Sequence, residues 1–300
     1  MATVILTGAN TMSDKPSENL QTWARQWGAT SVPFTEGPNA WLSTPALEQA
    51  HERLNQNAAL RSALLLHGPN GVGKSALVAR WLKALDTRLF VPLVFTQATL
   101  SASSLLGALC LKLGKALVYR RERQLQSIEE ALDEMEGRVP VIVLDEAQNY
   151  NQPTLEEIRL LLGLNLPAQP AFALTLIGDQ YLLSSLKLRH HRALFSRLAA
   201  QVVLEPWSGE ESLQALETAL RAVGLSSSAL EPSAAQQLAS AAAGLPRTLG
   251  LLARAAWIAA AQDGAQSIAP NHVQAALDLV PHAPGLQGAL PTSITQKSKP

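Results

Sequence analysis

Residues 64 to 82 place one lysine and one serine between a short apolar run and an amphipathic segment. From Gly68 to Ser75 the chain fits the pattern G-x-x-x-x-G-K-[ST] at every fixed position. Glycines allow backbone N–H groups to curl around phosphate oxygens, the lysine reaches the β- and γ-phosphates, and the serine hydroxyl suits Mg²⁺. The pattern therefore predicts a nucleotide-binding loop formed by Gly68, Pro69, Asn70, Gly71, Val72, Gly73, Lys74, Ser75 and Ala76.

The acidic pair Asp145 and Glu146 is a second candidate for the same chemistry. It follows residues 139–144, a β-branched apolar run that predicts a buried parallel strand. Open α/β sheets bind ligands at the carboxyl ends of their strands. We expect Asp145 to hold Mg²⁺ together with Ser75, and Glu146 to orient and deprotonate an attacking water. The two motifs together predict an enzyme that binds a nucleotide with Mg²⁺ and hydrolyses it.

These residues can meet only if the strands that precede them end at the same edge of one sheet. Between residues 62 and 204, strand-like runs alternate with segments of helical periodicity, which predicts a parallel sheet covered on both faces. The predicted strands span 62–67, 89–96, 139–144, 171–177 and 201–204. The predicted helices include one at 101–117 and, after the last strand, one at about 246–262. A capping-box sequence from Ser208 to Glu211 then opens a series of helical patterns, so a small all-helical second domain is expected.

Composition changes along the chain indicate where these parts begin and end. The first forty residues are rich in Ser, Thr, Asn, Gly and Pro, and we interpret them as a flexible arm with one short helix, around Trp23 and Trp27, that docks elsewhere on the protein. The region after residue 280 has little apolar periodicity, which is typical of disorder. The predicted parts are a flexible arm at 1–40, an α/β nucleotide-binding core at 41–205, a helical lid domain at 206–280 and a disordered tail at 281–300.

Composition also limits the partners and the compartment. Lys plus Arg and Asp plus Glu number 24 each, so any site for a polyanion must be local. The single cysteine, Cys110, excludes a disulfide framework and suits a reducing compartment. The sequence has no signal-peptide pattern and no apolar run of the roughly 18 residues that a membrane span needs. We therefore expect a cytoplasmic protein with no membrane partner.

Three further stretches contain candidate residues for the same site. Asp179 or Gln180 follows a second apolar strand and is suited to contact the γ-phosphate or its water, with capping of a turn as an equal alternative. Arg197 precedes the last strand, where an arginine can neutralise transition-state charge in a neighbouring subunit or be an ordinary solvated residue. Arg247 follows a Gly-Leu-Pro turn at a helix start, where a cation is unfavourable and a phosphate partner is favoured.

In this order the motifs resemble an AAA+ ATPase. More narrowly, "TPALEQAHERL", "LDEAQNYNQPTLEEIRLLLGL" and "FSRLAAQVVLEPWSGEE" are similar to the ExeA/TniB/TnsC group, with MuB-type transposition ATPases more distant. The resemblance covers residues 40 to 262 and implies an α/β P-loop core with a helical lid. It also implies an active site shared between subunits, with Arg197 as the finger from the neighbour and Arg247 as a nucleotide sensor. Many relatives have Gly-Gln-Pro where this chain has Gly178-Asp179-Gln180.

A basic segment is the candidate surface for DNA. Its cations surround Tyr119 between the second strand and the acidic pair, where related ring ATPases place pore elements. Such cations can track phosphates without reading bases, and a merely solvated helical face is an equal alternative. The candidate DNA-binding residues are Lys112, Lys115, Arg120, Arg121 and Arg123.

The resemblance indicates a regulator of DNA transposition. Soluble members of the group form homo-oligomeric rings or filaments on double-stranded DNA and present it to a transposase or target-selection protein. ATP hydrolysis would then control disassembly. Two alternatives stay open, a secretion-associated ATPase like ExeA and an AAA+ signalling switch whose partner is a protein.

Overall fold

The computed structural model describes residues 16–35, 42–96, 100–164 and 170–280. The chain divides into two compact units. One unit comprises Ser43–Pro206, and the other joins the residues up to Leu42 to those from Trp207 onward. The predicted disordered tail at 281–300 lies outside the described residues.

The helices of the described part follow the predicted alternation. In chain order they are α1 (Pro16–Gln26), α2 (Pro45–Ala59), α3 (Lys74–Ala84), α4 (Ala102–Lys112), α5 (Arg121–Asp133), α6 (Gln152–Leu161), α7 (Gln180–Leu186), α8 (Arg192–Phe195), α9 (Gly209–Ala222), α10 (Pro232–Ala242), α11 (Pro246–Gln262) and α12 (Pro270–Leu279). Short 3-10 turns occur at Ala147–Asn149, Arg189–His191 and Ser227–Ala229. None of the helices in these ranges is long and apolar enough to cross a membrane.

Five strands form the sheet of the first unit. They are β1 (Ala63–His67), β2 (Phe90–Phe95), β3 (Val139–Leu144), β4 (Ala173–Gly178) and β5 (Leu198–Val203). Their order is β2-β3-β4-β1-β5, and every neighbouring pair is parallel. β1, β3 and β4 are buried along their whole length, as expected for central strands covered on both faces. The predicted α/β class with a parallel sheet is confirmed.

Strand register sets which residues meet at the carboxyl edge. β4 lies between β1 and β3, so it separates the two motif-bearing strands. His67 at the end of β1 pairs with Gly178 at the end of β4, and Leu144 at the end of β3 pairs with Leu176. The loop after β1, the acidic pair after β3 and the polar residues after β4 therefore emerge at one edge of the sheet.

One helix is shorter than its apolar pattern. We expected a helix at 101–117, and the structure ends α4 at Lys112. Gly114 adopts φ 78°, and the backbone N–H of Lys115 donates to the carbonyl of Cys110 at 2.9 Å. A left-handed glycine that closes such a bond is a common helix terminator, so the prediction was wrong beyond residue 112.

The helical unit contains α9 to α12 together with α1. Ser208 and Glu211 form the predicted reciprocal capping box at the start of α9. Trp27 and Trp257 are both buried and meet edge to face, with ring centroids 6.2 Å apart. Residues 16–35 thus belong to this unit, whereas the sequence indicated a flexible arm at 1–40. The reason is the apolar surface of Trp27 and its neighbours, which the C-terminal helices bury.

Candidate nucleotide-binding site

The loop between β1 and α3 has the backbone that its glycines predict. Gly71 (φ 85°) and Gly73 (φ 104°) lie in the left-handed region, which glycine occupies without strain. A Cβ atom on Gly68 would lie 2.3 Å from the carbonyl oxygen of Leu204, so the close approach of the chain after β5 requires glycine there. The loop then enters α3 directly at Lys74. Backbone N–H groups at a helix start are a ready site for an anion.

Lys74 is buried at 7% exposure, which is unusual for a lysine. Its Nζ donates to the carbonyl oxygens of Gly68 at 2.8 Å and Pro69 at 3.0 Å. The ammonium is therefore held inside the loop by neutral acceptors. A phosphate oxygen forms a stronger, charge-assisted hydrogen bond with an ammonium, so a nucleotide can displace these carbonyls.

Ser75 and Asp145 meet across the sheet edge. The hydroxyl Oγ of Ser75 donates to Oδ2 of Asp145 at 3.0 Å. Octahedral Mg²⁺ with bonds of ~2.1 Å places adjacent oxygen ligands about 3 Å apart, so the separation suits two neighbouring ligands of one ion. Hard oxygen donors of this kind are those that Mg²⁺ prefers, and these two side chains fit the metal.

Glu146 has a special backbone conformation. Its φ of 52° lies in the left-handed region, which costs a non-glycine residue about 1–2 kcal/mol. Its N–H donates to Oδ1 of Asp145 at 2.9 Å, and its exposed side chain accepts a hydrogen bond from the amide Nε2 of Gln148. Strained conformations of this kind persist where the surrounding structure holds them, commonly at functional sites.

Asp179 acts as a helix cap. Its Oδ1 accepts hydrogen bonds from the backbone N–H groups of Tyr181 at 2.9 Å and Leu182 at 3.2 Å, at the start of α7. This is the alternative that the sequence left open. The proposed contact of Asp179 with the γ-phosphate stays a prediction, and Gln180 is exposed beside it.

The two candidate arginines lie in different units. Nη1 of Arg197 donates to the backbone carbonyl of Arg159 at 2.6 Å, in the last turn of α6. Arg247 is exposed near the start of α11 in the helical unit. The roles of Arg197 as a finger for a neighbour and of Arg247 as a nucleotide sensor stay predictions.

Burial tunes two titratable side chains at this edge. Burial lowers the pKa of His67, whose Nε2 lies 2.7 Å from the amide nitrogen of Gln201. The neutral form of the His67 ring is therefore favoured. The cation held inside the loop is the ammonium of Lys74. Burial raises the pKa of Tyr150 to about 12, and the negative charge of Asp145 adds to this effect. Tyr150 therefore stays a neutral phenol at physiological pH.

Two of the five basic residues in the segment 112–123 form ion pairs. Lys115 donates to Glu134 with an N–O distance of 2.7 Å. Arg121 forms two hydrogen bonds with Glu157, at 3.0 and 2.9 Å, and the Glu157 side chain is only 7% exposed. Their charges are therefore compensated within the chain, which the sequence analysis did not foresee.

The other three cations of the segment are available to solvent. Lys112 is exposed, with its Nζ 5.2 Å from the centroid of the Phe95 ring. Arg120 and Arg123 are exposed, and neither forms an ion pair with any residue that the structure describes. Tyr119, the neighbour of Arg120 in the chain, is 87% exposed. Lys112, Arg120 and Arg123 are therefore the cations of this segment that could contact a polyanion.

Gln148 was missed as a site residue. It stands three residues after Asp145, inside the quoted motif "LDEAQN", but nothing in that spacing assigned it a role. The structure brings it to Glu146 on one side and to Gly178 of β4 on the other. Only the pairing of β3 with β4 creates the second contact.

Comparison with known proteins agrees with this geometry. Residues 58–186 match the family model of the AAA domain. General secretion pathway protein A of Aeromonas hydrophila is 25% identical over 259 residues, which cover 83% of this chain and 47% of that protein. The chain thus spans about half the length of this curated relative.

Solved structures share the fold. Cdc6p of Pyrobaculum aerophilum has a TM-score of 0.66 at 20% identity, covering 82% of this chain and 70% of the other. The ORC2 protein of Aeropyrum pernix has a TM-score of 0.63 at 17% identity, covering 86% and 72%. The ORC1 protein of the same organism, solved in complex with DNA, has a TM-score of 0.59 at 20% identity, covering 78% and 64%. At such identities the likeness concerns the fold.

Residues 58–186 are therefore similar to an AAA domain, and the site in this part of the chain has the geometry of a phosphate-binding loop beside an acidic pair. The AAA domain match and the 25% identity support an AAA+ ATPase of the ExeA-like group. The resemblance to the ExeA-like group that the sequence motifs indicated is confirmed.

Proposed function

We propose that this protein hydrolyses ATP with Mg²⁺ and that its nucleotide state controls binding to double-stranded DNA. The observation that carries the proposal is the 3.0 Å hydrogen bond between Ser75 and Asp145. Ser75 is the next residue in the chain after the buried Lys74. A hydroxyl, a carboxylate and an ammonium at the ends of parallel strands are the groups that a magnesium–nucleotide complex requires.

Each residue has a distinct part in the proposed reaction. The loop N–H groups and the Lys74 ammonium bind the phosphates, and Ser75 with Asp145 would hold Mg²⁺. The bound metal would neutralise charge on the phosphate oxygens. Glu146 orients the attacking water and accepts its proton. Arg197 from a neighbouring subunit is proposed to complete the site, which would couple hydrolysis to assembly of a homo-oligomer.

DNA binding is supported by the fold and by the basic segment. The ORC1 protein of Aeropyrum pernix shares the fold and is solved in complex with DNA. On this chain we propose that Lys112, Arg120 and Arg123 contact phosphates. The paired cations Lys115 and Arg121 brace the segment instead, because their charges are taken up by carboxylates. Such contacts are independent of sequence and sensitive to salt.

The proposed biological role is regulation of DNA transposition. The motifs similar to TniB and TnsC support it, with oligomers that present target DNA to a transposase and disassemble on hydrolysis. A second role, in secretion, is supported by the 25% identity to General secretion pathway protein A. Both roles use the same nucleotide site, and they differ in the partner that recognises whether the site holds ATP or ADP.

Binding of a labelled random DNA duplex tests the proposal. Fluorescence anisotropy is measured with ATP, with ADP and without nucleotide, across a salt series, for the wild type and Lys74→Ala. We expect tight binding with ATP, a steep loss with salt and no nucleotide effect in the variant. Release of phosphate from ATP, measured with and without Mg²⁺, tests the enzymatic half separately.

The outcomes separate the candidate functions. Hydrolysis without DNA binding in any nucleotide state would remove the DNA part and favour a protein-directed switch or the secretion role. A DNA affinity that is the same with ATP, with ADP and without nucleotide, and that is unchanged in Lys74→Ala, would contradict nucleotide control. Absence of hydrolysis in the wild type with Mg²⁺ and DNA would contradict the proposed enzyme.

A further inference from the structure

We infer that Gln148 is a positioning residue for ATP hydrolysis, which holds the carboxylate of Glu146 through its side-chain amide. The inference rests on the proposed ATPase function, because it assigns Glu146 the part of general base. It adds a residue to the site that neither the motif pattern nor the family resemblance assigned.

The first observation is the hydrogen bond itself. Gln148 lies in the 3-10 turn Ala147–Asn149, and its Nε2 donates to Oε2 of Glu146. The left-handed backbone at Glu146 (φ 52°, ψ 38°) reverses the chain, so these side chains meet although they are two residues apart. The Glu146 side chain is exposed, and this bond restrains a carboxylate that would otherwise sample several rotamers.

The second observation is the wall behind the amide. Oε1 of Gln148 is buried and has no hydrogen-bond partner among the described residues. A Cβ atom on Gly178 would lie 2.9 Å from this oxygen, so the amide packs directly against the end of β4. The amide is therefore enclosed between a carboxylate on one side and the backbone of Gly178 on the other.

The chemistry of the two neighbours determines how the amide is oriented. Rotating it by 180° would place its oxygen, an acceptor, against the carboxylate, which is also an acceptor. The donor must therefore face Glu146, and the oxygen must face Gly178. Since Asp179 is engaged in capping α7, Gln148 is the polar side chain through which the end of β4 supports Glu146.

An amide suits this part because it donates without exchanging a proton with the base. A carboxylate held in one rotamer before the water arrives lowers the barrier of the chemical step. Glu146 acts on the water, whereas the loop and the metal ligands bind the phosphates. Loss of the amide should therefore lower kcat and leave KM and nucleotide affinity unchanged.

Three variants test the inference on the full chain. Gln148→Met keeps the length and removes the donor, and Gln148→Glu keeps the shape and places a second carboxylate beside Glu146. Gln126→Met is the matched control, because the Gln126 amide binds the exposed Glu130 on α5. Steady-state ATP hydrolysis gives kcat and KM, and binding of a fluorescent ATP analogue gives affinity. Circular dichroism melting tests folding.

We expect kcat to fall about 10-fold to 100-fold in Gln148→Met and further in Gln148→Glu. KM, nucleotide affinity and melting should match the wild type, and Gln126→Met should be unaffected. A double-mutant cycle with Glu146→Gln adds a sharper readout. If Gln148 acts through Glu146, then adding Gln148→Met to Glu146→Gln lowers the residual rate no further.

The failures can be told apart. An unchanged kcat in Gln148→Met, a rise in KM, or full additivity in the cycle would overturn the positioning role while the ATPase stands. A wild type that hydrolyses no ATP would overturn the proposed function and this inference with it. Normal melting with a selective loss of kcat would support the inference against a purely structural role.

Discussion

The sheet edge and the basic segment at 112–123 both concentrate charged side chains, and they are organised differently. At the edge, Lys74, Asp145 and Glu146 are each held by a hydrogen bond to a neighbouring group. In the basic segment, Lys115 and Arg121 are held by carboxylates, whereas Arg120 and Arg123 extend into solvent. The edge is preorganised for one ligand, and the segment offers adaptable contacts.

The pattern of residues along the chain is sufficient to predict the site at the sheet edge, but it is not sufficient to predict the surface of the basic segment. At the edge, each motif is a short stretch of chain, so spacing already states which groups converge. In the segment, the parts of Lys115 and Arg121 depend on acids 19 and 36 residues further along. Counting cations overestimates such a surface, because distant carboxylates neutralise some of them.

The largest expected effect tests whether the edge is catalytic. Glu146→Gln should lower kcat for ATP hydrolysis by about 10² to 10⁴, since an amide cannot accept the proton of the water. Nucleotide affinity should be retained, because Glu146 is not a phosphate ligand in this scheme. A phosphate-release assay beside a binding titration measures both. A variant that hydrolyses ATP at the wild-type rate would remove Glu146 from the mechanism.

The next effect tests how rigidly the edge is built. Gly68→Ala should destabilise the protein by about 1–3 kcal/mol, because the new Cβ meets the Leu204 carbonyl and the backbone must shift. Urea denaturation measures the free energy of unfolding, and ATP affinity should fall with it. Gly209→Ala is the control, since its Cβ meets nothing within 4 Å and should change stability by less than about 0.5 kcal/mol.

A smaller effect tests the exposed cations of the segment. The double variant Arg120→Ala, Arg123→Ala should reduce the slope of log Kd against log salt by about 2, since each phosphate contact contributes ~0.9. Anisotropy with a random duplex measures the slope, and ATP hydrolysis without DNA should be unaffected. An unchanged slope would show that the DNA contacts lie elsewhere.

The smallest effect tests the braced cations. Lys115→Met should change DNA affinity by less than about twofold and the free energy of unfolding by at most ~1 kcal/mol, as is typical of an ion pair at the protein surface. The same titrations compare it with the double variant. If Lys115→Met lowered the slope of log Kd against log salt by as much as the loss of one arginine contact, the division of the segment into bracing and contacting cations would be wrong.

Much of the fold followed from local patterns. The strand at 139–144 and the helix at 246–262 have the predicted bounds, because a buried β-branched run and an amphipathic segment that begins at a proline carry their signal locally. The end of α4 was missed because the apolar pattern continues past Gly114, whose backbone terminates the helix. The sequence predicted a docking helix around Trp23 and Trp27 but not the surface that receives it, because Trp27 and Phe34 fill a core made by helices far along the chain.

By itself, the sequence determined the phosphate-binding loop, the acidic pair and the parallel sheet that carries both. These depend on spacing along the covalent chain and on the burial of apolar strands. Tertiary packing places Gln148 between Glu146 and Gly178 and pairs Lys115 and Arg121 with carboxylates. Such contacts arise only when β4 inserts between β1 and β3 and the helices pack around them, because that packing joins groups far apart in the chain.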